Sequence, residues 1–243
     1  MREYETFVFL DVQKTGTTFI HAFLKKFSCE KLVCFRKHKG MPMGADRSKY
    51  HFISVRNPFD LYMSLYSYGC DSYGKLALKL NNKGRGELYD RTWSGFETWL
   101  DFVLDPENGG LLGDNYGGPA SNGLSELIGF QSFRVLTMAL PGGIRLLKGC
   151  DSTVDLQALY EEKKLPKHAI KTESLREDLK DLVLHQLSDR FRNLGKAILF
   201  IDTEEAINAS QRIDRWDTGR KLNKPLQNRL EQREWFLHTN FKY

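Results

Sequence analysis

The chain has 243 residues, 41% of them hydrophobic and 28% charged, with a formal net charge of +5. That length and balance predict one soluble α/β domain with a full core. They exclude a membrane-spanning helix, since no apolar run approaches about 18 residues, and the mild basicity suits an anionic ligand but is too weak to argue for nucleic acid. No charged-then-apolar leader opens the sequence, which predicts a cytoplasmic chain or one trimmed of an anchor. Cys29, Cys34, Cys70 and Cys150 form no C-x-x-C pair, so no zinc site is expected and buried free thiols are.

Residues 6–27 read as strand, tight loop and helix. Phe7, Val8, Phe9 and Leu10 form a short apolar run that predicts a strand buried on both faces. Ile20, Phe23, Leu24 and Phe27 recur at helical spacing and predict one apolar helix face. Thr17 or Thr18 can cap that helix. Between strand and helix lies Gln13-Lys14-Thr15-Gly16-Thr17-Thr18. The first amides of a helix lack internal partners, and the helix dipole adds positive potential there. Gly16 permits a tight turn and close approach to a ligand, Lys14 adds a full charge, and the threonine hydroxyls can donate hydrogen bonds. This equipment suits a phosphate. It is not a G-x-x-x-x-G-K-[ST] loop, because Lys14 precedes Gly16.

Leu32–Phe35 predicts a second strand, followed by the basic cluster Arg36-Lys37-His38-Lys39. The cluster falls where a strand end meets a loop, the place where open α/β sheets bind ligands. Tyr50–Val55 predicts a third strand, broken by Arg56-Asn57-Pro58. Pro58 suits the first position of a helix that carries Leu61, Met63, Leu65 and Tyr66. Arg56 then stands at a strand end and Ser64 about two turns into the helix. A guanidinium and a hydroxyl grip phosphate with directional, charge-assisted bonds.

Lys14-Thr15-Gly16-Thr17-Thr18 resembles the 5′-phosphosulfate loop of sulfotransferases that use 3′-phosphoadenosine 5′-phosphosulfate (PAPS). Gln13 before it is most similar to the heparan-sulfate 6-O-sulfotransferase form. Arg56, Pro58, Ser64 and Tyr66 are similar in spacing to the 3′-phosphate motif of the same family. Leu61 departs from it, where many relatives carry a second arginine. The resemblance covers residues 6–69. It implies a P-loop-like three-layer α/β fold with a central parallel sheet flanked by helices. The whole chain, 1–243, is expected to be one such domain, with a cofactor core at 6–69 and roughly 168–243 and an acceptor-shaping insertion at roughly 70–165.

Within that insertion Phe96, Trp99, Leu100 and Val103 mark one amphipathic helix, and the surrounding Gly- and Asn-rich stretches read as long loops. Residues 124–140 read as one helix stopped by Pro141, and 151–160 as another. His168–Thr172 predicts a short strand, and Leu175, Leu179, Leu182 and Val183 share a helix face after it. From residue 211 the chain turns basic, and Arg220, Lys221 or Asn223 can cover a nucleotide, as a late loop often does in this family. A final helix is read over 226–237.

The resemblance implies transfer of a sulfuryl group from PAPS to an acceptor hydroxyl by in-line displacement, with 3′-phosphoadenosine 5′-phosphate (PAP) as product and no metal. Gln13 to Thr18 would hold the 5′ end, Arg56 and Ser64 the 3′-phosphate, and Arg220 and Lys221 the covering side. Lys14 would stabilise the charge developing on the departing phosphate. His38 is the candidate base, able to accept a proton at neutral pH, with Lys37 and Lys39 favouring its neutral form. The resemblance implies a carbohydrate acceptor; Arg36, Lys37 and Lys39 suit an anionic sugar or, alternatively, the cofactor. The competing readings are a P-loop-type nucleotide or small-molecule kinase and a non-catalytic PAP-binding protein.

Overall fold

The computed structural model describes residues 1–118, 123–205 and 221–243. It is an α/β protein. Strands β1 (Arg2–Tyr4), β2 (Phe7–Leu10), β3 (Leu32–Phe35), β4 (Tyr50–Val55) and β5 (Pro166–Lys171) form one open mixed sheet in the order β3-β1-β2-β4-β5. β4 pairs parallel with both β2 and β5. β1 runs antiparallel to both its neighbours, β2 and β3. β2, β3, β4 and β5 therefore point the same way, and their carboxyl ends fall along one edge of the sheet. Thirteen α-helices accompany it among the described residues, and none is long and apolar enough to cross a membrane.

The chain packs as two compact units. The first holds residues 1–56 and 138–143 and the described residues from Lys163 to 205. The second holds the described residues of 57–137, then 144–162 and 221–243. The division after Arg56 falls inside the stretch read above as one cofactor core.

In the first unit every residue of β2 is fully buried, as its unbroken apolar run requires. Helix α1 (Thr17–Phe27) lays Phe19, Ile20, Phe23, Leu24 and Phe27 onto the sheet. Phe7, Phe9 and Phe52 answer from the sheet, with Phe9 and Phe52 stacked at 5.1 Å. Ala197, Phe200 and Ile201 of helix Leu194–Thr203 complete this core. Each such phenylalanine contributes about 1.5–3 kcal/mol by burial, which anchors the β2–α1 junction firmly in the unit. The sequence reading placed no element at β1 or at 194–203.

The second unit is built around aromatic rings. Helix α2 (Pro58–Cys70) starts with Pro58 as expected, and Asn57 caps it by accepting from the amide of Phe59 at 2.9 Å. Tyr62 and Tyr66 of α2 meet Trp99 of helix Trp93–Leu104 at ring separations of 6.0 and 5.5 Å. Leu61 of the same helix is buried too, so the residue that departs from the resemblance noted above occupies a core position.

Three expectations in this unit are corrected. Residues 75–82, read as loop, form a helix. Its leucines alternate at 76, 78 and 80, which hides the helical period, and only Ala77 and Leu80 are buried. The expected helix over 124–140 is two, Leu124–Leu127 and Phe130–Ala139, parted at Ile128 and Gly129. The expected final helix over 226–237 is also two, Lys224–Arg233 and Trp235–Phe241. The two breaks belong together. Arg233 donates to the carbonyls of Glu126 (2.9 Å) and Ile128 (3.0 Å), and Trp235 Nε1 to that of Leu127 (3.0 Å). These bonds cap the carboxyl end of the short helix. Glu234 between them accepts from the amides of Gln131 (3.2 Å) and Ser132 (2.8 Å), capping the amino end of the next helix. A cation at one helix end and an acid at the other both match the helix dipoles.

Candidate functional site

The loop Gln13–Thr18 leaves the carboxyl end of β2 and enters α1 at Gly16. Gly16 is the N-cap, in the left-handed region (φ 74°), with no side-chain cap bond. This corrects the expected threonine cap: α1 begins at Thr17, so Thr17 and Thr18 lie inside its first turn, where a side chain no longer has cap geometry. Lys14 also holds a positive φ of 63°, rare outside glycine. Such conformations persist only where the surroundings impose them, and they gather at ligand sites.

Glycine is needed at 16 for a second reason. A Cβ built there would lie 2.2 Å from Leu175 Cδ1. Gly16→Ala is therefore expected to cost about 1–2 kcal/mol from the left-handed backbone alone, plus the displacement of Leu175. Adding Leu175→Ala relieves the contact but not the backbone cost. Urea denaturation of the single and double variants checks this, and an unchanged midpoint in Gly16→Ala would refute it.

Two bonds tie the end of β4 to the loop, one more closes the loop on itself, and a fourth links the ends of β4 and β5. Thr15 Oγ1 donates to the Val12 carbonyl at 2.7 Å and lies 2.6 Å from Ser54 Oγ on β4. Thr15 is fully buried, so its hydroxyl serves the fold rather than an outside phosphate. Arg56, at the end of β4, donates from Nη1 to the Lys14 carbonyl at 3.3 Å. Thr172, after β5, donates to the Val55 carbonyl at 3.0 Å. The Arg56 Nε is buried without a hydrogen-bond partner. A buried guanidinium donor beside a loop carrying Lys14, with a helix amino terminus that no side chain caps, fits an anion such as phosphate.

The candidate base sits on a second network. Asp11, fully buried, directly follows β2. Its Oδ1 accepts from the His38 amide at 3.1 Å, and its carbonyl accepts from His38 Nδ1 at 2.8 Å. A carbonyl can only accept, so the proton of a neutral His38 ring is on Nδ1 and its lone pair on Nε2. His38 is held at a positive φ of 53°, and its side chain is 21% exposed. Asp11 Oδ2 is 3.1 Å from His21 Nε2, and Arg2 Nε donates to His21 Nδ1 at 2.6 Å. Arginine is always the donor, so His21 carries its proton on Nε2 and donates to Asp11. Burial by itself would raise the Asp11 carboxyl. The bonds from His21 and from the Met1 amine, with His38 nearby, outweigh it and hold the group below its ordinary 3.8.

His51, on β4, is 1% exposed; its Nδ1 is 3.0 Å from the Lys49 carbonyl and its Nε2 is buried without a partner. Burial pushes its pKa below the ordinary 6.5, the bond to Lys49 offsets part of this, and the Lys167 charge adds to it. The unfolded chain therefore takes up this proton first, and stability falls as pH drops below about 6.5. Asp11 is depressed in the other class of group, so its contribution is present above its unfolded value and is lost as pH falls through the folded one. Urea denaturation is expected to show lower stability at pH 5 than at pH 7, and His51→Leu should flatten that limb. Equal stability of the parent protein at both pH values would contradict it.

Of the remaining sequence-derived residues, Gln13 and Lys14 are half-buried, Thr17 is buried and Thr18 is exposed. Ser64 is buried on α2, in the second unit. Tyr66 is a core residue whose hydroxyl donates to Asp90 at 3.0 Å. Lys221 is exposed, and Asn223 caps helix Lys224–Arg233 by accepting from the Leu226 amide at 3.0 Å. Arg220 lies outside the described residues. Sequence reasoning missed Asp11, Ser54 and Arg2. A buried-strand run ending in an acid, and a serine inside an apolar strand, were the available signals.

Cys29 is exposed and Cys34 half-buried, against the expectation of buried thiols, while Cys70 and Cys150 are buried; all four are free. Both exceptions fall at or beside β3, which has no strand on its outer side. Comparison with known proteins returned no matching family model, no matching curated protein and no matching solved structure.

Proposed function

We propose that the chain is a PAPS-dependent sulfotransferase acting on an acceptor hydroxyl, with a carbohydrate as the acceptor class, on a P-loop-like three-layer core. One observation carries the reading: Arg56, with a buried and unpartnered Nε, donates to the backbone of the Lys14–Gly16 loop at the open amino end of α1. Two positively charged residues, Lys14 and Arg56, beside a helix amino end that no side chain caps suit a bis-phosphorylated nucleotide.

PAPS would supply the sulfuryl group together with the phosphate that departs from it. On this reading the amides at the start of α1 and the charge of Lys14 stabilise negative charge on the 5′ side. Arg56 binds the 3′-phosphate and selects against nucleotides that lack it. The part given to Ser64 rests on its spacing from Arg56 in the sequence. His38, its Nδ1–H held by the Asp11 carbonyl, presents Nε2 as the proton acceptor for the acceptor hydroxyl. Arg36, Lys37 and Lys39, all exposed around it, favour an anionic sugar.

Calorimetric titration with PAP, ADP and ATP in the presence of EDTA tests the reading. PAP is expected to bind tightly and the other two weakly, with Arg56→Ala losing roughly 2–4 kcal/mol of PAP affinity. Preference for ATP restored by magnesium would overturn it in favour of a kinase. PAP binding without sulfate transfer to a broad acceptor panel would favour a binding protein.

A further inference from the structure

β3 is the outermost strand of the sheet, paired only with the three-residue β1. All four of its residues reach solvent, with Leu32 39%, Val33 55% and Phe35 46% exposed. Three of the nine large exposed apolar side chains among the described residues thus fall in one four-residue strand. An edge strand offers unpaired backbone donors and acceptors, and apolar side chains beside them make it a template for another strand.

Charge says which strand. Lys31 precedes β3, and Arg36, Lys37 and Lys39 follow it, all exposed. The nearest acid in sequence, Glu30, is occupied with the Thr6 amide and hydroxyl. Glu5 accepts from the Lys31 amide at 3.3 Å and lies against one cation, so the positive excess is greatest at the Arg36–Lys39 end. Two copies pairing antiparallel about Val33 and Cys34 would set Lys31 against Arg36 at each end, and like charges directly opposed on paired strands repel. The same cations that discourage self-pairing attract an acidic strand.

We infer that β3 is a docking edge for an extended acidic peptide segment of a partner protein, added to the sheet as a sixth strand. Its apolar residues would cover the exposed Leu32, Val33 and Phe35, across the register shift at Val33, and its acidic residues would flank them. The inference does not rest on the sulfotransferase reading, but Arg36, Lys37 and Lys39 are also the residues that reading gives to the acceptor; the measurements below contain no nucleotide and no acceptor, so they test the edge alone.

The test uses the full chain and three capped, fluorescent peptides. The first alternates valine with threonine between acidic ends. The second is its scrambled isomer of equal charge. The third is the first with alternate backbone amides N-methylated. Anisotropy at low salt is expected to show the first binding at least about tenfold tighter than either control. Lys31→Glu/Arg36→Glu should abolish that binding and instead take up a peptide with lysine ends, with circular dichroism confirming that the variant is folded. Hydrogen exchange at 32–35 should slow when the first peptide is bound. Equal binding of the scrambled or N-methylated peptide would reduce the effect to charge alone and overturn the proposal. Sedimentation showing a dimer that Val33→Lys dissociates would overturn it too, by assigning the edge to a second copy.

Discussion

Glu234→Ala is expected to lower stability by about 3–5 kcal/mol, the range for stripping a buried acid from its hydrogen-bonded partners. Glu234 is fully buried, and its carboxyl group accepts from the Tyr62 hydroxyl, the Gln131 and Ser132 amides and the Ser132 hydroxyl. Four donors match the roughly four acceptor sites of a carboxylate, so none is idle. Removing the acceptor leaves the first turn of helix Phe130–Ala139 with buried, unpaired amides, and it leaves Tyr62 without its partner. Burial first, then the neighbouring Glu234, already push the Tyr62 phenol well above its ordinary range, so ionisation offers it no alternative. Gly129, packed against the Glu234 carboxylate, has no side chain with which to replace it. The corresponding fall in melting temperature is about 10 °C for a chain of this size. Glu231→Ala, on the exposed side of the same segment, is the control and should change stability by no more than about 0.5 kcal/mol. A Glu234→Ala protein melting within about 2 °C of the parent would show that the remote cap is dispensable.

That cap also explains where the sequence stopped being informative. The β2–α1 segment was legible because its signals are local: four consecutive apolar residues for a strand buried on both faces, then a 3.6-residue period. The β4–α2 junction was legible through Pro58 and the helical run behind it. Arg233, Glu234 and Trp235 carry no such mark. They sit inside an apparently continuous helical pattern, and their partners lie about a hundred residues away, so both helix breaks were invisible. β1 was missed because three residues with one buried side chain make no period. Within the candidate site, Lys14, Gly16 and Arg56 were found as residue types at suitable spacings, and the Arg56 bond to the loop ties two of those spacings together. Thr15 was misjudged because a hydroxyl in a loop cannot be told, from sequence, from one that faces Val12 and Ser54. Asp11 was passed over because its significance depends on His21 and His38, which reach it only through tertiary structure.

If the proposed function is right, His38→Ala should lower sulfuryl transfer on the order of a hundredfold or more while leaving PAP binding intact. The separation follows from the geometry. His38 is fastened to Asp11 by its amide and by Nδ1, while the charges given to the nucleotide are those of Lys14 and Arg56. Its loss should therefore spare the nucleotide and remove the proton acceptor. Asp11→Asn gives the finer result. The asparagine keeps the carbonyl that fixes the Nδ1 proton but places an amide where the carboxylate faced the His21 Nε2–H or the His38 N–H. One of these donors must then turn away, and the left-handed backbone of His38 loses part of what holds it. Transfer should fall less than in His38→Ala, through the turnover number rather than through PAP affinity. Radiolabelled transfer from PAPS to a carbohydrate panel, beside calorimetric PAP titration of each variant, separates the outcomes. Full transfer in His38→Ala would remove the histidine from the chemistry. Loss of PAP binding in that variant would place it in nucleotide recognition instead, and the proton acceptor would then have to be another group on the same strand edge.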